Sequence, residues 1–316
     1  MFTRVSVPTP FQVGAVNAYV AGRTIVDPGP ESEEAWSRLL DALEARELVP
    51  GDISQVVVTH PHPDHFGLAS RFREAGARVL ASSEGAAIMR DFGARLRYEQ
   101  DYFVDFFERC GISRETAKAV TQLPEAFLAY AESVETDREL DAGDTFTVDD
   151  VALTTDSVAG HAVGERIYSY DGVEGRAAIV GDTVLADITP NPFLQPPPQD
   201  GGERPRVLPA YNDSLRWLRE QGHDRFLTGH REPVESPRER IDAMLSEHDQ
   251  RTEEVADIVS EGATTPADVM TALFGDLPAT EYFAGMSEAV GHLDVLEARD
   301  RVEKRASGGV FVYELQ

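Results

Sequence analysis

The chain carries four candidate metal ligands within six residues, in the segment Thr59-His60-Pro61-His62-Pro63-Asp64-His65, which follows a predicted buried strand. Imidazole and carboxylate groups are natural ligands of zinc and related divalent metals. His60 and His62 point the same way if the segment is extended, and the alternating prolines favour extension. Asp64 and His65 begin the next predicted helix and can turn toward a second metal. The segment therefore predicts a metal site at the end of a strand.

Further along the chain, three more candidate ligands each follow a glycine near the end of a predicted strand: His161, Asp182 and His230. Five of the eight histidines thus stand at candidate metal positions. The remaining histidines lack such a context, and we predict surface or packing roles for them: His223, His248 and His292.

The pattern His-x-His-x-Asp-His, followed in order by a His, an Asp and a His, resembles the ligand pattern of the metallo-β-lactamase superfamily. The resemblance implies two divalent metal ions, with zinc expected first and iron or manganese as alternatives. It implies that one ion is held by His60, His62 and His161. It implies that a second ion is held by Asp64, His65 and His230, and that Asp182 bridges the two.

The same resemblance implies the chemistry of the site. Asp64 and Asp182 would be the catalytic carboxylates, and a hydroxide bridging the ions would be the nucleophile, because divalent metals lower the pKa of bound water toward roughly 7. Asp27-Pro28-Gly29 resembles an early turn of the family, so Asp27 is expected to support the turn or the ligands rather than to react.

The predicted elements mix strands and helices in two similar halves, which favours a two-sheet core covered by helices. With the resemblance, the expected fold class is α/β, an αββα metallo-β-lactamase sandwich in residues 1–234. A helical insertion at about 86–138 is rich in aromatic side chains, which could line a pocket under a cap or simply pack onto the core. Residues 191–209 are predicted to be loop. In residues 235–316, the order helix, helix, helix, hairpin is that of a small winged-helix-like domain.

Three features argue against particular branches of this superfamily. The commonest antibiotic-hydrolysing lactamases carry an arginine where His65 stands and a cysteine where Asp182 stands. Flavodiiron oxygen reductases carry a glutamate where His62 stands. The 47 residues between Asp182 and His230 are too few for the large insertion of the β-CASP nucleases. What remains resembles the glyoxalase II branch and the related hydrolases that end in a winged-helix-like module.

This branch implies hydrolysis of a thioester or a carboxylic ester. A thiolate leaves without a strong general acid, because its pKa is near roughly 8.5. Two alternatives stay open. One is an endoribonuclease that acts on single-stranded RNA, as some relatives with this tail do. The other is a mononuclear iron oxidoreductase that resembles the persulfide dioxygenases.

The chain is strongly acidic, with 56 acidic and 29 basic residues and a net charge of −27. Lys118 and Lys304 are its only lysines, a composition that resembles proteins of salt-accumulating halophiles. From Glu235 onward there are 18 acidic and 7 basic residues. Nucleic acid is therefore an unexpected partner, since binding to phosphates depends on basic side chains and weakens with salt. The tail is expected to serve a homodimer or to cover the site.

The remaining predictions concern the cellular compartment of the protein and its partners. The lone Cys110 permits no internal disulfide and favours a reducing, cytoplasmic setting. The sequence has no apolar run of about eighteen residues and no secretory signal, so that no membrane partner is expected. The expected partner is a small-molecule substrate.

Overall fold

The computed structural model describes residues 1–198 and 201–316. These residues fall into two compact units, each assembled from three segments of the chain. The segments of the first unit are Met1–Ala94, Ala126–Pro190 and Trp217–Ile241. The segments of the second unit are Arg95–Glu125, Asn191–Arg216 and Asp242–Gln316. The domain boundary expected between residues 234 and 235 stays a prediction.

The first unit contains two sheets. The strands of the first sheet are neighbours in the order β1 (Thr3–Val7), β2 (Val16–Ala21), β3 (Thr24–Val26), β4 (Gln55–Val57), β5 (Arg78–Ala81) and β6 (Arg138–Glu139). The first two pairings are antiparallel, and β3 to β6 run parallel. Parallel neighbours need crossover connections, and helices in the first half of the chain supply them.

The second sheet is mainly antiparallel. Its strands, in chain order, are β7 (Thr145–Val148), β8 (Val151–Ser157), β9 (Arg166–Gly172), β10 (Gly175–Gly181) and β11 (Arg225–Thr228). Only the pairing of β10 with β11 is parallel. The carboxyl ends of β10 and β11 therefore lie side by side, and these are the ends that precede Asp182 and His230.

The hydrophobic core of the first unit lies between the two sheets. Side chains of the first sheet and of the second meet in one buried cluster, which includes Tyr19, Val57, Leu80, Phe146, Leu153, Tyr168 and Ile179. Two of its tyrosines also link the sheets by hydrogen bonds. Tyr168 donates its hydroxyl to the carbonyl of Val58 at 2.7 Å, and Tyr19 donates to the carbonyl of Thr228 at 2.8 Å. These bonds hold Val58 and Thr228, which shortly precede the candidate ligands His60 and His230, against the opposite sheet.

The helices of the first unit are α1 (Glu33–Glu44), α2 (Pro63–Phe66), α3 (Ala69–Glu74) and α4 (Ser83–Arg90). Helix α1 begins after Ser32, whose hydroxyl accepts the N–H of Ala35 at 3.1 Å and so caps the helix. The sequence pattern predicts one helix from His65 to Ala75, and this prediction is wrong in detail. The helix is interrupted at Gly67 and Leu68, so that α2 is a single short turn that presents Asp64 and His65.

The remaining helices are α5 (Phe92–Arg109), α6 (Arg114–Gln122), α7 (Val207–Glu220), α8 (Pro237–Ser260), α9 (Pro266–Phe274) and α10 (Ala279–Ala298). A hairpin of β12 (Val302–Ser307) and β13 (Val310–Leu315) follows them. Helix α9 begins at a capping box in which Thr265 and Asp268 exchange side-chain to backbone hydrogen bonds. The order helix, helix, helix, hairpin predicted for residues 235–316 is confirmed.

The aromatic side chains of residues 86–138 do not form one group. Phe103, Phe106 and Phe107 of α5 are buried in the core of the second unit, against residues of α8, α10 and β13. In the first unit, Phe92 packs edge-on against Phe66, and a 3-10 helix at Leu123–Tyr130 brings further rings against Phe11. Core packing therefore accounts for these three aromatic residues of α5.

The predicted loop at residues 191–209 ends earlier than the sequence indicates. Helix α7 begins at Val207 and includes Pro209, because proline is tolerated in the first turn of a helix. Residues 199 and 200 of that loop lie outside the described residues. Within the described ranges, no helix combines the length and the apolar character needed to cross a bilayer.

Candidate metal centre

The structure brings all seven predicted ligands together in the first unit. His60 and His62 lie in the segment that follows β4, Asp64 and His65 lie in α2, and His161 lies in the loop between β8 and β9. Three groups, in each of which the ligand atoms lie within 4.8 Å of one another, are His60, His62 and His161; His60, His65 and Asp182; and Asp64, His65 and His230. The chain thus forms two triads of donors with one further carboxylate between them.

The first triad consists of three imidazoles. His62 Nδ1 lies 3.1 Å from His60 Nε2 and 3.2 Å from His161 Nε2. Three ring nitrogens converge at these distances, which is the arrangement that a zinc ion or a similar cation would require.

The second triad shares its surroundings with Asp182. Nε2 of His230 lies 3.3 Å from Asp64 Oδ2. Asp182 Oδ2 lies 3.7 Å from His65 Nε2, 3.6 Å from His161 Nε2 and 3.5 Å from His230 Nε2. This carboxylate therefore faces a member of the first triad and two members of the second, as the predicted bridging role requires.

Hydrogen bonds on the far side of the rings orient two of these histidines. His65 Nδ1 lies 2.9 Å from Asp27 Oδ2, and His230 Nδ1 lies 2.9 Å from the carbonyl oxygen of Ala15. Both partners are acceptors, so that Nδ1 carries a proton and Nε2 is left to face the centre. Among the described residues, the Nε2 atoms of both histidines and Oδ1 of Asp182 are buried without a hydrogen-bond partner. Buried polar atoms normally find partners, and a bound cation would supply one here.

Asp27 organises a second part of the centre. Its carboxylate accepts the Thr59 N–H at 2.8 Å and the Thr59 hydroxyl at 2.6 Å, besides facing His65. The Thr59 hydroxyl oxygen lies 3.0 Å from His60 Nδ1. Asp27 has a φ of 51°, in the left-handed region. The supporting role expected for Asp27 is thus visible as direct contacts that orient His65 and, through Thr59, His60.

Two glycines explain why the candidate ligands follow glycine in the sequence. A Cβ atom on Gly229 would collide with Asp182 Oδ1 and would lie 2.7 Å from His65 Cε1. A Cβ atom on Gly181 would lie 2.7 Å from Thr59 Oγ1, and Gly181 has a φ of 49°. Any side chain at either position would displace a ligand or the residue that holds one.

The electrostatics of the first triad favour neutral imidazole. Burial, followed by the neighbouring His65 and His62, holds the pKa of His60 well below its ordinary value. Burial, followed by His161, lowers the pKa of His62 to about 3. Neutral imidazole is the form that binds a metal ion.

The two aspartates have the opposite preference. Burial opposes their ionisation, but neighbouring histidines outweigh it. His65 and His230 hold the pKa of Asp64 below its usual value, and His230 and His65 hold the pKa of Asp182 well below. Burial alone would lower the pKa values of His65 and His230. The neighbouring carboxylates, with Asp182 first, outweigh it, so that both pKa values lie above the ordinary value. The centre therefore holds ionised carboxylates and attracts positive charge.

A further buried carboxyl lies beside the centre and has no signal in the sequence. Glu165 is fully buried, and Oε1 accepts the hydroxyl of Thr183 at 2.9 Å. Burial raises the pKa of Glu165 to about 8, and the hydrogen bond from Thr183 opposes this rise.

The histidines predicted to have surface or packing roles are all buried. In the first unit, His223 Nε2 lies 2.9 Å from Ser169 Oγ. His248 and His292 belong to a network of side chains in the second unit. The packing interpretation therefore holds for all of them, and the surface interpretation is wrong.

Comparisons with known proteins agree with this geometry. Residues 12–246 match the family model described as Metallo-beta-lactamase superfamily. A probable metallo-hydrolase of Bacillus subtilis, YqjP, is 29% identical over 318 residues, which cover 98% of this chain and 96% of that protein.

Solved structures agree as well. A metallo-beta-lactamase family protein from Thermus thermophilus superposes with a TM-score of 0.81 at 23% identity, covering 100% of this chain and 98% of that one. A beta-lactamase domain protein from Burkholderia ambifaria superposes with a TM-score of 0.82 at 24% identity, covering 100% and 92%. The neighbours confirm the predicted metallo-β-lactamase sandwich, and the matches together confirm the prediction of a hydrolase of that fold. Because the family model covers most of its length, the chain belongs to the metallo-beta-lactamase superfamily.

Proposed function

We propose that the chain is a dinuclear metallo-hydrolase that acts on a thioester or a carboxylic ester, as glyoxalase II-like enzymes do. The observation that carries the proposal is the pair of donor triads with Asp182 between them. We infer zinc as the native metal, with iron or manganese as alternatives, because the first triad is made of imidazoles only.

Two bound divalent ions would supply Lewis acidity and a water activated at neutral pH. The residues of the chain supply the geometry. Asp27 and the carbonyl of Ala15 keep the Nε2 atoms of His65 and His230 directed at the centre. Asp64 and Asp182 are the proposed catalytic carboxylates. Both are ionised, and Oδ1 of Asp182 has no hydrogen-bond partner among the described residues, so that it could bind a metal ion.

An aromatic cluster in the same unit as the centre supports an apolar acyl group in the substrate. The ring of Phe11 lies 4.9 Å from that of Phe127 and 5.7 Å from that of Tyr130. Phe127 is 38% exposed, and the adjacent Leu128 is 43% exposed. Phe11 stands four residues before Ala15, whose carbonyl holds His230. We infer that this cluster contacts the acyl chain, because apolar surface gains free energy when it leaves water.

The tail is proposed to be a winged-helix-like module that serves a homodimer. The order of α8, α9, α10, β12 and β13 supports the module, and the excess of acidic residues from Glu235 onward argues against RNA as its ligand.

The composition supports two further proposals. The net charge of −27 supports a protein adapted to high salt, and the lone cysteine supports a cytoplasmic one. If the first is correct, the thermal unfolding midpoint should rise between about 0.1 M and about 2 M KCl, because salt screens repulsion between surface carboxylates. A midpoint that is flat or falls over that range would contradict it.

The experiment that tests the function combines metal analysis with a substrate panel. Protein purified in high salt is assayed for bound metals and for turnover of thioesters, oxygen esters and single-stranded RNA. We expect close to two metal ions per chain and thioester or ester turnover. One iron without hydrolysis would support the oxidoreductase alternative, and RNA cleavage without ester turnover would support the nuclease. His62→Ala should abolish metal binding and turnover together, whereas the matched variant His223→Ala should retain both.

A further inference from the structure

The loop that carries His161 is tied to its neighbours by one residue that no ligand pattern includes. Glu165 is fully buried and directly precedes β9. Its Oε1 accepts the hydroxyl of Thr183 at 2.9 Å, and Thr183 directly follows Asp182. Its Oε2 has no hydrogen-bond partner among the described residues, although the backbone N–H groups of Ala162 and His161 lower the pKa of this carboxyl. Glu165, which ends the loop of His161, therefore contacts the turn of Asp182 through its side chain.

The backbone around Glu165 reaches two further segments. Its carbonyl accepts the N–H of Val158 at 3.3 Å, which closes the loop that holds His161. The next residue, Arg166, donates its N–H to the carbonyl of Thr59 at 2.8 Å, directly before His60. Glu165 thus stands where the segments of His60, His161 and Asp182 meet.

A carboxyl group at the buried position of Glu165 requires an explanation. A buried carboxyl costs free energy that an apolar side chain of similar size would not. No lysine or arginine side chain in the described ranges forms an ion pair with Glu165, so that an internal ion pair does not explain it. A carboxyl oxygen is, however, a hydrogen-bond acceptor, and here it joins the residue that ends the loop of His161 to Thr183, in the turn of Asp182.

We propose that Glu165 is a positioning residue that holds the His161 turn and the Asp182 turn at the separation needed by the metal centre. The inference depends on the proposed metal centre. Residues behind the ligands commonly change metal affinity about 10-fold to 100-fold when they are altered.

The test measures metal affinity directly. Metal-free protein is titrated with Zn²⁺ against a chromophoric chelator, and Co²⁺-loaded protein is examined by visible absorption. We expect Glu165→Ala to weaken metal binding by about 10-fold or more and to change the Co²⁺ spectrum. Glu165→Gln keeps a carbonyl oxygen as the acceptor for Thr183 and should recover most of the affinity.

A second pair of variants covers the case in which Glu165→Ala does not fold. Thr183→Val removes the hydroxyl at nearly constant shape and should weaken metal binding in the same direction. The matched control is Thr155→Val, since the hydroxyl of Thr155 is buried without a hydrogen-bond partner in the described part of the chain. It should leave metal affinity unchanged.

The outcomes separate the inference from the proposed function. If the unaltered protein binds no metal, the proposed function fails. If it binds two ions, and folded Glu165→Ala and Thr183→Val bind them within about threefold of the unaltered protein, Glu165 is merely structural and the inference is overturned. A loss of thermal stability in the metal-free variants without a change in affinity would overturn it equally.

Discussion

Each of the two units contains a group of buried histidines, and the two groups differ in where their ring nitrogens point. In the first unit, His65 and His230 are held at Nδ1 and leave Nε2 without a partner among the described residues. In the second unit, His248 Nδ1 lies 2.7 Å from Asn212 Oδ1, and His292 has partners at both nitrogens, Thr252 and Glu288. Both groups are buried. They differ because the first group leaves ring nitrogens that could bind a metal ion, whereas the second uses its ring nitrogens in hydrogen bonds with neighbouring side chains.

The charges around the two groups differ in the same sense. The first unit directs the ionised carboxylates of Asp64 and Asp182 at its histidines, and the pKa values of His65 and His230 rise despite burial. In the second unit, burial and then the nearby His292 lower the pKa of His248 to about 4. The first group therefore attracts a cation, whereas His248 of the second group stays neutral at neutral pH.

The largest expected difference between the two groups appears when one side chain is removed from each. Asp182→Ala should abolish metal binding and hydrolysis, because it removes the carboxylate that faces both triads. His248→Ala should keep the full metal content and lose about 1–3 kcal/mol of stability, the usual cost of leaving a buried partner unsatisfied. Metal analysis and thermal unfolding of both variants check this. Full activity in Asp182→Ala would refute the ligand assignment.

Adding one methyl group beside the proposed ligands should lower metal binding nearly as much as removing Asp182 does. Gly229→Ala places a Cβ against Asp182 and His65, and we expect metal content well below that of the unaltered protein. The control is Gly51→Ala, where the nearest atom would lie 3.8 Å from the new Cβ. Equal metal content in the two variants would show that the ligands have more room than the structure indicates.

A smaller effect is expected from the residue that orients two ligands. Asp27→Asn places an amide against His65 Nδ1 and Thr59, so that one acceptor is lost. Metal affinity should fall about 10-fold to 100-fold with the fold intact. Asp149→Asn is the control, since Asp149 also has a left-handed φ, of 45°, but is exposed. Titration with a metal-chelator competition assay distinguishes them, and similar affinities would remove Asp27 from the centre.

The last prediction concerns the pH dependence of stability in the second unit and leaves the metal centre unchanged. His248 has a folded pKa of about 4, and its unfolded pKa is near roughly 6.5. The folded state therefore binds fewer protons, so that the stabilisation is present above about pH 6.5 and is lost as the pH falls toward about 4, by on the order of 3 kcal/mol. Denaturant unfolding across this range should show the loss. His248→Gln should reduce it, and an unchanged pH dependence in that variant would contradict the assignment.

The candidate ligands could be proposed from the sequence because each stands in a short local pattern. Four of them stand within six residues, and the others follow glycines at strand ends. The residues that orient them could not be predicted in the same way. Ala15 supports His230 across 215 positions, and Asp27 contacts His65 across 38. Such contacts exist only after the two sheets have paired, and neither a carbonyl group nor an isolated glutamate such as Glu165 has a sequence signal.

The fold shows the same division between local and long-range information. The order of elements in residues 235–316 follows local patterns and was predictable. The break between α2 and α3 was not, because continuous helical periodicity conceals it. The burial of His248 was also not predictable, since α8 has a strongly charged sequence and a polar residue on its buried face looks like a solvated one until its partner Asn212 is known. His292, on α10, is likewise recognised only by its contact with Thr252.

We propose that seven side chains hold two divalent ions. Crystals of the zinc-loaded protein, measured at the zinc absorption edge, test it directly by anomalous difference density. We predict two peaks, one among His60, His62 and His161 and one among Asp64, His65 and His230, with the Asp182 carboxylate in contact with both. A single peak, or a second peak away from Asp64 and His230, would contradict the dinuclear account.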